Sequence, residues 1–208
     1  VLTTPNSKTM ITGNYIDNSS VEWTNEYEAN PDFANQYSFG GLTITGNAFT
    51  ASDVAPWFSW IVVKPHGSGH FLQGFNVSGN VFKALGGAVD RVERVDTTFA
   101  TLDNFRMRNV WVEGNTFTAV SQVTANPVMV QHDQVTEAVS WTVDAGAYLP
   151  FGGWARNVDS IVAEGMITGP AGERRSDMPF VDVEQGASKQ QVTVNWQNSS
   201  KGRVQIRL

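Results

Sequence analysis

Apolar and polar residues alternate in short bursts along this chain, and the bursts break at the same kind of place. In "GLTITGNAFT" (41–50), Leu42 and Ile44 fall on one side of an extended stretch, the chain turns at Gly46-Asn47, and it resumes with Phe49. The same frame recurs in "TMITGNYID" from Thr9, "FNVSGNVFK" from Phe75 and "VWVEGNTFT" from Val110. A period of two between apolar positions predicts strands with one buried face. The Gly-Asn pairs begin at Gly13, Gly46, Gly79 and Gly114, spaced by 33, 33 and 35 residues, which marks a repeat architecture.

A 33-residue period also suits ankyrin repeats, so residue choice has to arbitrate. The chain holds 26 Val and 18 Thr but only 7 Leu. β-Branched residues favour strands, whereas stacked helices need long unbranched apolar faces. Ankyrin is rejected. A second extended stretch follows each corner: "VEWTNE" (21–26), "FSWIVVKP" (58–65), "AVDRVERV" (88–95) and "PVMVQHD" (127–133). Strands repeated with matching corners stack at about 4.8 Å per rung, so equivalent side chains form ladders. Ile11, Ile44, Val77 and Val112 are expected as one inward ladder, and Ile16, Phe49, Phe82 and Phe117 as a second. Gly tolerates the positive φ of a tight bend. Stacked Asn14, Asn47, Asn80 and Asn115 can pass amide hydrogen bonds from rung to rung.

This "ΦxΦxGNxF" pattern, over residues 9 to 133, resembles the right-handed parallel β-helix of the pectate-lyase-like superfamily. The expected fold is all-β: a parallel β-helix of about four rungs over residues 1–133, then a β-rich cap or oligomerisation region over 134–208. In that region "VSWTVDAGAY", "VDSIVAEGMIT" and "MPFVDVEQG" read as strands. "QVTVNWQNSSKGRVQIRL" reads as a closing hairpin turning at Asn198–Gly202. Members of the superfamily include polysaccharide lyases, glycoside hydrolases, mannuronan epimerases and phage tailspikes. The resemblance therefore implies a polysaccharide partner, an extracellular or virion-surface location and, by analogy with tailspikes, a homotrimer.

Charge and composition narrow this further. A net charge of −6 and a pI near 5.0, without a basic stripe, argue against nucleic acid. The absence of cysteine removes disulfides and thiolate chemistry. No apolar run reaches the roughly 18 residues of a membrane span. The chain starts with Val and shows no signal peptide, so it is read as a piece of a longer protein.

Candidate chemistry is sparse. "KPHGSGHF" places Lys64, His66 and His70 in a Gly-rich loop, without the paired carboxylates that glycoside cleavage needs. "VDRVERVD" supplies Asp90, Arg91, Glu93 and Arg94; a lyase would use a basic group to abstract a proton and a cation to neutralise a uronate. Lys64, Asp90, Arg91, Glu93 and Arg94 are thus the catalytic candidates, against the plainer reading of a charged strand whose ions pair with each other. Trp57, Trp60, His66 and His70 are the substrate-binding candidates, because aromatic faces suit the C–H faces of sugar rings; burial beneath long loops or at a chain–chain interface is the competing reading of the Trp residues. No zinc-type ligand spacing exists. The carboxylates of "DVEQ" (182–185) and "VDRVERVD" are the contributors to be considered for calcium, and no other cofactor is implied. The expected function is a carbohydrate-recognising β-helix module, the C-terminal part of a larger polysaccharide-processing protein, either lyase or hydrolase if catalytic. The alternative is a non-catalytic receptor-binding or structural segment of a trimeric tailspike or adhesin.

Overall fold

The computed structural model describes every residue of the chain except Gln36. The first turn consists of β1 (Thr9–Thr12), β2 (Tyr15–Asp17) and β3 (Val21–Thr24). The second consists of β4 (Phe39–Gly40), β5 (Leu42–Thr45), β6 (Ala48–Ala51) and β7 (Ile61–Lys64). The third runs through β8 (Leu72–Ser78), β9 (Val81–Ala84) and β10 (Glu93–Val95), and β11 (Arg108–Glu113) and β12 (Thr116–Thr118) begin another. Equivalent strands pair in parallel into three sheets, in the orders β1-β5-β8-β11, β2-β6-β9-β12 and β3-β7-β10. The chain is all-β and forms a parallel β-solenoid of about three turns, followed by an antiparallel sheet.

Both inward ladders form in the expected register. Ile11 lies opposite Ile44, Ile44 opposite Val77 and Val77 opposite Val112. Ile16, Phe49, Phe82 and Phe117 align likewise. The Phe49 and Phe82 rings stack at 4.8 Å between centroids, and Phe82 and Phe117 at 5.8 Å. Each corner glycine has φ between 62° and 68°, the left-handed region in which a side chain would be strained. The amide ladder also forms: the Oδ1 of Asn47, Asn80 and Asn115 accepts from the Nδ2 of the preceding Asn at 3.1, 2.9 and 3.0 Å.

The chain divides into two compact units, Val1–Asn126 and Pro127–Leu208. In the second, β13 (Met129–Asp144) and β16 (Gln191–Arg207) pair antiparallel, and β14 (Ser160–Ala163) and β15 (Phe180–Gln185) join the other side of β16. Trp141, Val143, Val192, Val194, Val204 and Ile206 are buried there. Two expectations are corrected. "PVMVQHD" is not a further rung: Met129 to Asp133 begin β13 and pair antiparallel with β16 instead of in parallel with β10. Asn198–Gly202 is not a hairpin turn. β16 runs through it, held by β13 on both flanks, and the register slips where Ala138 faces Ser200 and Ser140 faces Asn195. The turn-forming residues make a bulge instead.

Candidate functional site

The sheet β3-β7-β10 positions most of the charged and aromatic residues singled out in the sequence. Its register sets Glu22, Val62 and Arg94 in one row and Thr24 beside Lys64 in the next. Asp96 follows β10 directly, and its backbone N–H donates to Val63 O at 2.8 Å, continuing the ladder past the strand. Two exposed rings border this face: Trp57, at 69% exposure, and Phe99, at 59%. The Arg94 guanidinium lies 5.9 Å from the Trp57 ring centre and the Lys64 ammonium 5.2 Å from that of Phe99. The His66 ring stacks on Phe99 at 4.3 Å. Each cation over a ring contributes about 0.5–1 kcal/mol at such a site and holds the ring flat.

Asp96 organises the charges. Its carboxylate pairs with Arg94 at 3.8 Å and accepts from Thr98 Oγ1 at 2.6 Å and Thr98 N–H at 3.1 Å. The Thr98 hydroxyl, chiefly, pulls this carboxyl below its usual 3.8, and Arg94 and Lys64 add to the effect. Asp96 therefore stays ionised at neutral pH, which makes it a hydrogen-bond acceptor rather than a proton donor. Two buried nitrogens nearby, His66 Nε2 and Arg94 Nε, lack a hydrogen-bond partner among the described residues.

The remaining candidates do not join this face. Trp60 is fully buried, packs against Phe82 at 5.5 Å and donates from Nε1 to Thr50 O at 3.3 Å. It is a core residue and has no surface to offer a sugar. His70 is also fully buried; its Nε2 lies 2.6 Å from Pro31 O, and Phe33, Tyr37 and Phe39 surround its ring. It pins the 25–38 connection against the 65–71 connection. The approach there is tight enough that a Cβ at Gly67 would lie 2.3 Å from the Pro31 carbonyl carbon.

Glu93 is 2% exposed on the inward side of β10, where Arg91 meets it at 3.1 Å and Thr124 Oγ1 donates to it at 2.7 Å. A buried carboxylate persists only when paired in this way, so Glu93 is committed to an ion pair with the partly exposed Arg91. Asp90 is exposed and accepts from Gln122 Nε2 at 3.0 Å. Of the five catalytic candidates, Lys64 and Arg94 lie beside the exposed rings, and Arg91 and Glu93 pair with each other.

A feature the sequence reading did not reveal is a cleft of about 490 Å³ beside the β1-β5-β8-β11 sheet. Lys8, Phe33, Asn35, Tyr37, Gln73 and Asn109 line it, and no carboxylate does among the described residues. Burial, with the Glu28 carboxylate beside it, pushes the Tyr37 hydroxyl above its usual range, so it remains a donor. Among the described residues no three His, Asp or Glu side chains converge to hold a metal ion. The carboxylates considered for calcium go elsewhere: Asp182 accepts from Asn195 Nδ2 and Glu184 pairs with Arg156. No described helix is long and apolar enough to cross a membrane. No known protein family matches the chain, and no curated protein or solved structure matches it.

Proposed function

We propose that the solenoid is a carbohydrate-recognition module and that the outward face of β3-β7-β10 is its binding surface. One observation carries this reading: two exposed rings, Trp57 and Phe99, each held by a cation, border a row of fixed donors and acceptors. Sugars present that complement, apolar C–H faces and polar edges. The "ΦxΦxGNxF" resemblance to the pectate-lyase-like superfamily supports the same ligand class by analogy only. The module would be part of a larger polysaccharide-processing protein, at the cell exterior or on a virion.

Asp96, held ionised beside Arg94, suits a hydrogen-bond acceptor better than the protonated acid of a hydrolase. Glycoside cleavage needs a protonated partner carboxyl as well. Lys64 and Arg94 keep a lyase version open to test, by following unsaturated-product absorbance over uronate polymers; flat traces across such polymers remove it.

The binding test is a glycan array followed by calorimetry on the hits. Trp57→Ala and Phe99→Ala should each weaken binding about tenfold, from the loss of about 1–1.5 kcal/mol of ring contact. Trp111→Ala removes an exposed ring on a different sheet, β11, and should leave binding unchanged. Loss only in Trp111→Ala refutes the assignment of the face. A second reading, a structural segment of a homotrimeric assembly, draws on the exposed Val135, Met178 and Phe180 of the antiparallel unit. Mass in solution decides it: a monomer at micromolar concentration counts against it.

A further inference from the structure

The strands beside the cleft kink at one equivalent position. Gly40 lies opposite Gln73 and Thr43 opposite Asn76, which sets Gly41 opposite Gly74. Arg108 opposite Gln73 and Val110 opposite Phe75 set Asn109 beside Gly74, and Thr9 opposite Leu42 brings Lys8 onto the same row. Gly41, Gly74 and Asn109 have φ of 80°, 65° and 53°, so the kink is repeated in register on three successive turns. Local breaks of this kind gather next to binding sites because they re-aim side chains. The row runs Lys8, Gly41, Gly74, Asn109, and all four positions line the 490 Å³ cleft.

Backbone conformation alone does not require the two glycines. Asn109 adopts the same left-handed φ with a side chain in place, and Asn is a residue that tolerates it. A Cβ at Gly41 would lie 3.5 Å from Lys8 Cα and one at Gly74 3.7 Å from Gly41 N, both ordinary contacts. An asparagine therefore fits either position, and its side chain would stand over the floor of the cleft. The bareness of two successive rungs keeps about 10 Å of that floor open. The gap lies on the flank of the turns with an occupied position on either side of it. It is bounded inside the repeat and does not depend on what lies at either end.

The lining specifies a ligand. Phe33 and Phe71 meet edge to face at 5.3 Å and form an apolar corner; Arg106 braces Phe33 from 5.2 Å and is itself paired with Asp103. Lys8 makes no ion pair among the described residues, and the side-chain amides of Asn35, Gln73 and Asn109 make no hydrogen bond among them. Glu28 lies outside the lining, and its carboxylate accepts from the Tyr37 hydroxyl. In a chain of net charge −6, an acid-free cleft with one unpaired cation suits a single negative charge. We propose that this cleft binds a small monocarboxylate built on one flat apolar ring, with the carboxylate on Lys8 and the neighbouring amides and the ring against the Phe33–Phe71 corner. Its volume falls within the roughly 300–1,000 Å³ of small-molecule sites. A doubly charged phosphate would call for a second cation, which no described lining residue supplies. The site shares no residue with the β3-β7-β10 face and stands whatever that face binds.

The test titrates benzoate into isotope-labelled full-length chain and follows backbone amide shifts, with benzamide, acetate and inorganic phosphate as comparisons. Saturable benzoate shifts at Gly41, Gly74 and Asn109 are expected. Benzamide, which lacks the charge, should bind about threefold more weakly, the scale of an exposed ion pair. Acetate, which lacks the ring, should bind about tenfold more weakly. Lys8→Gln, at an exposed position, should weaken benzoate about threefold and erase its advantage over benzamide. Gly74→Asn should abolish the saturable shifts while the remaining amide spectrum stays unchanged; if that variant misfolds, Lys8→Gln decides alone. Equal binding of benzoate and benzamide, benzoate binding unaffected by Lys8→Gln or by a folded Gly74→Asn, or tighter binding of phosphate overturns the proposal. So does a lack of saturation up to tens of millimolar benzoate. Shifts confined to the amides around Trp57 and Phe99 overturn it too, since they report the other face.

Discussion

Asn80 is the buried link of the amide ladder, and Asn80→Ala measures what a link is worth. The side chain donates to Ile44 O at 2.9 Å, Ser78 O at 3.2 Å and Asn115 Oδ1 at 3.0 Å, and its Oδ1 accepts from Asn47 N–H and Nδ2. Truncation leaves the Asn47 N–H without an acceptor at a residue that is 2% exposed. An orphaned buried donor costs about 1–3 kcal/mol, and two or three further bonds lose about 0.5–1.5 kcal/mol each. The mid-values of these terms give an expected loss of about 4–5 kcal/mol.

Asn14→Ala is the internal control, because the same residue type at the exposed end leaves its own N–H bonded to Asn47. It should cost about 0.5–1 kcal/mol. Urea titration gives the global difference, and hydrogen exchange at the Asn47 amide gives the local one. That amide should lose roughly a hundredfold of its protection in Asn80→Ala, corresponding to about 3 kcal/mol at about 1.4 kcal/mol per decade. If the two variants differ by less than about 1 kcal/mol, the ladder is a by-product of the corner geometry rather than a source of stability.

Other predictions test the surroundings. Phe82→Ala removes the ring stacked between Phe49 and Phe117 and touching Trp60, and should cost about 3–5 kcal/mol in a urea titration. Glu93→Ala removes the carboxylate that Arg91 and Thr124 contact; because Arg91 is partly exposed, the cost should be about 2–3 kcal/mol, below that of a fully buried pair, again read by urea titration. Asp32 accepts from Ser68 N–H at 2.6 Å and Ser68 Oγ at 2.9 Å, which depress its carboxyl below 3.8. A depressed native value means the contribution is present above pH 3.8 and is lost as pH falls through the lower native value. Protection of the Ser68 amide, its exchange taken relative to the unprotected rate at each pH, should therefore fall on acidification in that range, and Asp32→Asn should abolish the dependence.

The corners were legible because only Gly and Asn fit them, and four copies at one spacing made the period visible. The ladders followed from that register. Other parts were hidden by contacts that no local pattern encodes. Trp57 and Trp60 lie three residues apart in one aromatic stretch, yet Trp60 immediately precedes β7 and enters the core while Trp57 sits on the preceding connection. His70 looks like a loop histidine until the 25–38 connection is laid over it. The cleft draws on Lys8, Tyr37, Gln73 and Asn109, which are close only because the turns stack. Asn198–Gly202 has the composition of a turn, but composition reports local freedom, and β13 decides the path.

The connections divide the chain into what is constant and what is free to vary. The corners between β1 and β2, β5 and β6, β8 and β9, and β11 and β12 are all Gly-Asn, whereas the next connections are residues 18–20, 52–60 and 85–92. Longer insertions there add little closure cost, since each doubling of a flexible loop adds only about 0.6 kcal/mol. Residues 53–57, which carry Trp57, can thus be exchanged while Trp60 keeps its place in the core. The molecule is built for diversification: one exposed connection can change its residues while the fold is inherited unchanged from the corners.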